Sequence, residues 1–203
     1  MKLPSHSLLL PGLLVALSQS VAGRENFPGR IGGEGRIGQA APPFELKAWL
    51  NADPLEPADL KGNVLLVRWW TDTCPFCSTT APVLRELNRK YRGRGLRVIG
   101  IFHPKPPGDR SVERLRRATE RFGFTFPVAL DADWIALHRW WLDHEVQAWT
   151  SVSFLVDKQG VVRYVHPGGE YHLGEAGLHW RNHESCHREY REIEDTILKL
   201  LDN

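Results

Sequence analysis

Apolar positions fall in a clear order of runs from Gly38 onward. Val64 to Trp70 is continuously apolar except for Arg68, as expected of a strand buried on both faces. Leu96 to Phe102 repeats that texture and is closed by His103-Pro104. Between them, Pro75 opens a helix to Tyr91, with Leu84, Leu87, Asn88 and Tyr91 on one face. Pro82 falls inside it and should kink it, and Gly93 and Gly95 end it. Ser111 is placed to cap a second helix reaching Phe122, with Leu115, Ala118 and Phe122 inward. Phe44-Glu45-Leu46 and Pro127 to Leu130 are short strand candidates. Trp134, Leu137 and Trp141 sit at helical spacing and read as core. Val152 to Val156 and Val161 to Val165 flank the turn Asp157-Lys158-Gln159-Gly160 and predict a hairpin. The last helix spans His183 to Leu201. Tyr190, Ile193, Ile197, Leu200 and Leu201 form its apolar face, and Cys186 falls on it. The order β-α-β-α, helix, β-β-α predicts parallel strands, then an antiparallel hairpin and a closing helix.

The N-terminal texture is different. Lys2 is the only charge before Arg24, Leu8 to Leu17 is a short apolar run, and Ser20-Val21-Ala22 offers small residues. This predicts a signal peptide over 1–22, cleaved after Ala22, and so an exported, disulfide-permissive setting in the bacterial periplasm. An uncleaved anchor is the alternative. The run is shorter than the ~20 apolar residues of a spanning helix, so no membrane span is expected after cleavage. Residues 23–37, rich in Gly and Arg, read as a flexible lead-in to one domain over 38–203. A net charge of +2 over 203 residues gives no electrostatic case for nucleic acid. The eight tryptophans are expected mostly in the core.

The sharpest chemistry is Cys74-Pro75-Phe76-Cys77. A cysteine at a helix start meets free N–H groups and partial positive charge, which favour its thiolate. Cys77 lies about one turn on, where it can attack a mixed disulfide held on Cys74. Cys74 is therefore the expected attacking thiol and Cys77 the resolving one. Phe76 brings no charge to the thiolate. A zinc site from Cys74, Cys77, Cys186 and His187 and a structural disulfide are the alternatives. A dithiol opening a helix after a buried strand fits neither well.

In this setting, the segment Leu65 to Cys77 resembles the active-site segment of thioredoxin-like redoxins of the AhpC/TSA–redoxin type, especially bacterial periplasmic disulfide reductases. Ala41 to Leu46 and Asp59 to Gly62 resemble their N-terminal extension, and Phe154 to Gly160 their fourth strand and hairpin turn. The resemblance covers about residues 38–203. It implies a single α/β thioredoxin-fold domain, a central mixed sheet flanked by helices with an N-terminal extension. It also implies a redox-active disulfide in place of a bound cofactor, exchange with exported protein thiols and disulfides, and an upstream electron donor.

Two positions depart from that family. Ser151 stands where it has a cis-proline facing the dithiol. A non-proline cis bond costs about 3 kcal/mol, so the loop 149–152 is expected trans, with an altered partner groove. Arg68 stands where thioredoxins carry a buried acid; it cannot act as a base. An ion pair at the sheet edge is one reading of Arg68, and support of the thiolate from behind the helix is the other. Peroxiredoxins share the fold, and Thr71 with Cys74 fits half of their P-x-x-x-T-x-x-C pattern, with Val67 at the proline position. A thiol peroxidase using Cys74 is thus a second function class.

His166, His172, His179, His183 and His187 crowd the C-terminal part, with Glu170 and Cys186. In the resembled fold the turn from His166 to Glu170 would lie beside Cys74, and His103 would reach the same rim. These histidines are candidates for the proton transfer that Arg68 cannot perform. His183 and His187 stand four apart and could hold zinc or copper; a solvated histidine-rich loop is the bland reading. A non-enzymatic metal-binding module is the third function class. Cys186 is either a buried inert thiol or a second resolving thiol. Trp149 is expected at the partner groove.

Overall fold

The computed structural model describes residues 32–144, 149–173 and 183–203. The expected signal peptide, most of the lead-in and His179 lie outside them.

The six strands form one sheet in the order β1-β4-β3-β2-β5-β6. They are β1 (Trp49–Leu50), β2 (Val64–Trp70), β3 (Leu96–Phe102), β4 (Val128–Leu130), β5 (Ser153–Val156) and β6 (Val162–His166). The helices are α1 (Pro75–Tyr91), α2 (Val112–Phe122), α3 (Ile135–Trp140) and α4 (His183–Asp202). β2 and β3 run parallel from Val64↔Leu96 to Trp70↔Phe102, and β4 continues parallel to β3. β5 turns antiparallel to β2 and β6 antiparallel to β5. The mixed sheet and closing helix are those the hydrophobic pattern predicts.

Alternation along β2 sorts the core into two layers. Val64, Leu66 and Trp70 face α1, α2 and α4, meeting Leu84, Leu115 and Ile193 among others. Leu65, Val67 and Trp69 face Phe44 and α3. Aromatic rings fill both layers. Trp70 packs against Phe102, Phe122 and Phe124, while Trp69 and Phe154 both pack on Trp140. Such pairs contribute about 0.5–1.5 kcal/mol each beyond the area they bury.

Three local readings are corrected. Phe44-Glu45-Leu46 is not a strand: the Glu56 carboxylate accepts from the Phe44 and Glu45 amides at 2.6 and 2.7 Å, and Glu45 adopts a φ of 56°. Those amides are therefore spent on a side chain, and pairing with β4 begins at Trp49. Trp134 is not core. It caps α3 with a φ of 63°, half-buried, and its indole donates to the Pro104 carbonyl. The fully buried side chains there are Ala136, Leu137, Trp140 and Trp141. Third, residues 34–36 of the lead-in form a 3-10 turn. Gly38 donates to the Val162 carbonyl, and Gly33, at φ 97°, lies so close to Val165 that a Cβ there would sit 2.7 Å from it. This end of the lead-in is thus laid against β6.

Candidate active site

Cys74 is the N-cap of α1, with extended backbone (φ −94°, ψ 117°) and Pro75 at the first helical turn. Its carbonyl accepts from the amides of Cys77 and Ser78 at 3.1 and 3.2 Å. Cys74 is half-buried, Cys77 is buried, and the three cysteines are reduced. The helix thus leaves one sulfur within reach of a partner and hides the other behind it.

The two thiols are pushed apart in acidity. Cys74 is lowered to about 5, first by a hydrogen bond from the Cys77 thiol, then, against a penalty from burial, by the Cys77 amide, the Ser151 hydroxyl and the charge of Arg68. Cys77 is raised well above the ordinary thiol value, chiefly by burial and by its role as donor to Cys74. At neutral pH Cys74 is therefore a thiolate and Cys77 a thiol.

Ser151 reaches both sulfurs. Its Oγ lies 3.1 Å from Cys77 Sγ and donates to Cys74 Sγ over 3.9 Å. Among the described residues the one cis peptide bond is Pro106–Pro107, so the bond before Ser151 is trans. The hydroxyl thus occupies the place facing the dithiol from which proline is absent.

Arg68 is fully buried in the middle of the sheet. Register sets it opposite Ser153, whose Oγ accepts from Nη1 at 3.1 Å. Nη2 donates to the Gly169 carbonyl at 2.8 Å, and the guanidinium lies 5.4 Å from the centre of the Tyr171 ring. Among the described residues it has no carboxylate partner, and it lies inside the sheet and not at its edge. Its charge lowers both thiols. Tyr171 completes this group, its hydroxyl 3.0 Å from Ser153 Oγ. Sequence reasoning did not single out Tyr171, because nothing local separates it from an ordinary core tyrosine.

The remaining rim residues divide. Trp149, 37% exposed, meets Phe76 edge-on with ring centres 5.4 Å apart, so the two aromatics lie together beside Cys74. Thr71 is buried and donates to Asp72, which Arg114 grips through two nitrogens at 2.8 and 3.0 Å. His103 is buried against the Trp134 ring. Burial pushes it down to about 3, and both ring nitrogens lack hydrogen-bond partners, so it is neutral and bonded to neither sulfur. His166 Nε2 is 2.8 Å from the Glu189 carboxylate, and Glu170 is buried. His183 opens α4 with its side chain outside the described residues; His187 lies beside His172, ring centres 5.5 Å apart. Cys186 is buried on the apolar face of α4, as its spacing predicts.

The model of the AhpC/TSA family matches residues 37–165. The chain belongs to the AhpC/TSA family. That stretch runs from Ile37 into β6 and contains the dithiol, Ser151 and Arg68. Among relatives of known name, the chain is 28% identical over 134 residues to protein DipZ of Mycobacterium bovis, covering 64% of this chain but 19% of DipZ. It is 28% identical over 127 residues to thiol-disulfide oxidoreductase ResA of Bacillus anthracis, covering 63% of this chain and 67% of ResA. A putative thiol:disulfide interchange protein DsbE from Chlorobium tepidum superposes with a TM-score of 0.63 at 21% identity, over 81% of this chain and 97% of that one. The last likeness establishes the shared thioredoxin-like fold.

Proposed function

We propose that this AhpC/TSA-family protein is an exported thiol–disulfide oxidoreductase that exchanges the Cys74–Cys77 pair with protein partners. The single observation that carries this reading is the placement of the dithiol, with half-buried Cys74 as the N-cap of α1 and Cys77 buried one turn behind it. Relatives named as thiol-disulfide oxidoreductases support it. The expected signal peptide supports export, and no helix among the described residues is long and apolar enough to cross a membrane.

In the reductive direction, the Cys74 thiolate attacks one sulfur of a partner disulfide. The partner S–S bond breaks, one partner sulfur leaves as thiolate, and a Cys74–partner disulfide forms. The Cys77 proton passes to that leaving thiolate, with Ser151 Oγ positioned between the sulfurs. Cys77 then attacks Cys74 Sγ, forms the Cys74–Cys77 disulfide and releases the second partner sulfur, which takes a proton from solvent. Two electrons leave the protein, and an exported donor must return them. Arg68 assists by favouring the thiolate of each cysteine. Trp149 and Phe76 form the apolar patch on which the partner chain rests.

The test is exchange with a disulfide-bonded protein, using dithiothreitol as donor. Cys74→Ser is expected to abolish reduction, and Cys77→Ser to accumulate a mixed disulfide on Cys74 detectable by mass spectrometry. Unchanged exchange by Cys74→Ser overturns the reading. Faster consumption of peroxide than of protein disulfide by the reduced chain would instead mark a thiol peroxidase.

A further inference from the structure

Glu170, His172 and Cys186 lie outside the exchange chemistry, yet their side chains converge. All three are buried, and one ligand atom from each lies within 4.8 Å of the others. We propose that they form a zinc site that clasps the segment after β6 to the first turns of α4, with His187 as its fourth ligand.

The position follows from the fold. Tyr171 is tied to Ser153 and lies under Arg68. Its two chain neighbours, Glu170 and His172, both reach Cys186 on α4 instead. His187 follows Cys186 on α4, is half-buried, and sets its ring 5.5 Å from that of His172. It therefore borders the cluster through His172.

The donor set selects the metal. One thiolate, imidazole nitrogen and one carboxylate suit zinc, with bonds of about 2.0–2.3 Å in tetrahedral geometry. A carboxylate oxygen argues against copper(I), which favours soft sulfur ligands. Charge agrees as well. A buried carboxylate and a buried thiolate carry two negative charges, which one divalent cation neutralises where water cannot. The 4.8 Å spread has to close by about 1 Å for a tetrahedral site, a distance within side-chain rotation. On binding, a Zn–S bond forms and the Cys186 thiol proton leaves to solvent, while Glu170 binds through a carboxylate oxygen and His172 through a ring nitrogen.

The site is separate from the dithiol, so it is tested in the full chain carrying Cys74→Ser and Cys77→Ser, where loss of exchange cannot confuse the result. One zinc(II) per chain should survive desalting, by elemental analysis. Cobalt(II) in its place should give a thiolate-to-metal charge-transfer band in the near ultraviolet. Adding Cys186→Ser should remove that band, and His172→Ala should weaken zinc binding by at least about tenfold. Because both positions are buried, circular dichroism checks each fold. His187→Ala, at a half-buried position, should also weaken zinc by about tenfold without disturbing it. Failure of the dithiol-less chain to bind stoichiometric zinc overturns the site. So does a cobalt(II) complex that shows no thiolate band while Cys186 is present, or zinc affinity unchanged in His187→Ala.

Discussion

The Ser151 hydroxyl lies 3.1 Å from the Cys77 sulfur. A hydroxyl has one proton and so has a thiol, so while Ser151 donates to the Cys74 thiolate the Cys77 proton turns either to Cys74 Sγ or to Ser151 Oγ. One side chain thereby holds a thiolate and a thiol in their different protonation states. Replacing Ser151 by Ala removes a hydrogen bond to a charged sulfur, worth about 1.5 kcal/mol. We expect the Cys74 pKa to rise by about one unit in Ser151→Ala, read from the pH dependence of thiolate absorbance. By linkage the reduced fold should lose about 1.4 kcal/mol near neutral pH, and little at pH 5. A Cys74 pKa that does not move would remove Ser151 from the proton path.

Arg68 acts on the same thiolate from beneath. Arg68→Met keeps the volume but deletes the charge, strands the Gly169 carbonyl and leaves Ser153 Oγ with the Tyr171 hydroxyl alone. The Cys74 pKa should rise by about one unit, and the melting temperature should fall. Arg68→Lys restores charge without the two-nitrogen fork. It should recover most of the Cys74 acidity and little of the stability. If Arg68→Met lowers stability yet leaves the pKa in place, Arg68 is only a packing element.

The acidity of Cys74 has a defined sign in pH. Its folded pKa of about 5 lies below the ordinary thiol value of 9.0, so the thiolate persists down to near pH 5. Alkylation of the reduced chain at low iodoacetamide should fall about tenfold per pH unit below that point and stay flat from pH 6 to 8. Cys77, raised and buried, should stay unlabelled across this range. The same shift is linked to stability. The contribution of Cys74 to the reduced fold is complete above the unfolded pKa and is lost as pH falls toward 5. The melting temperature of the reduced chain should therefore gain on that of Cys74→Ser between pH 5 and 8. A gap that does not widen with pH would contradict the lowered pKa.

Much of this arrangement was legible in the chain. β2, α1 and β3 appear with their observed bounds, because a two-face buried strand is a continuous apolar run and Pro75 marks a helix start. Ser111 caps α2 as read, its Oγ accepting from the Arg114 amide. Cys74 and Cys77 are legible from their spacing, and Ser151 from the resemblance that sets it where the family has its proline. Long-range side-chain bonds were not. Nothing near Phe44 reveals that Glu56 takes its amide, and nothing near Trp134 reveals that Asp131 caps α3 through the amides of Ala136 and Leu137. The Tyr171 and Gly169 contacts with Arg68 escape for the same reason: they join residues a hundred positions apart, across a turn without periodicity.

The groove beside Cys74 depends on a glycine. Gly168 has a φ of 133°, and a Cβ there would lie 2.3 Å from Trp149 Cβ. The turn after β6 and the loop before Ser151 are therefore in direct backbone-to-side-chain contact, and Trp149 is held on Phe76 from behind. Gly168→Ala must move one of the two segments. Backbone strain of this kind costs about 1–3 kcal/mol, and it should displace Trp149 from Phe76. Trp149→Ala should retain stability, because the ring is 37% exposed, but should lose the apolar patch. Both variants should slow exchange with a protein disulfide by about fivefold to tenfold, the loss of roughly one aromatic contact. Exchange with a small aromatic disulfide, which needs only Cys74, should be near wild type for Trp149→Ala. Stopped-flow kinetics with the two substrates separates these cases. If Trp149→Ala slows both equally, the tryptophan shapes the dithiol itself and is not a docking surface for the partner.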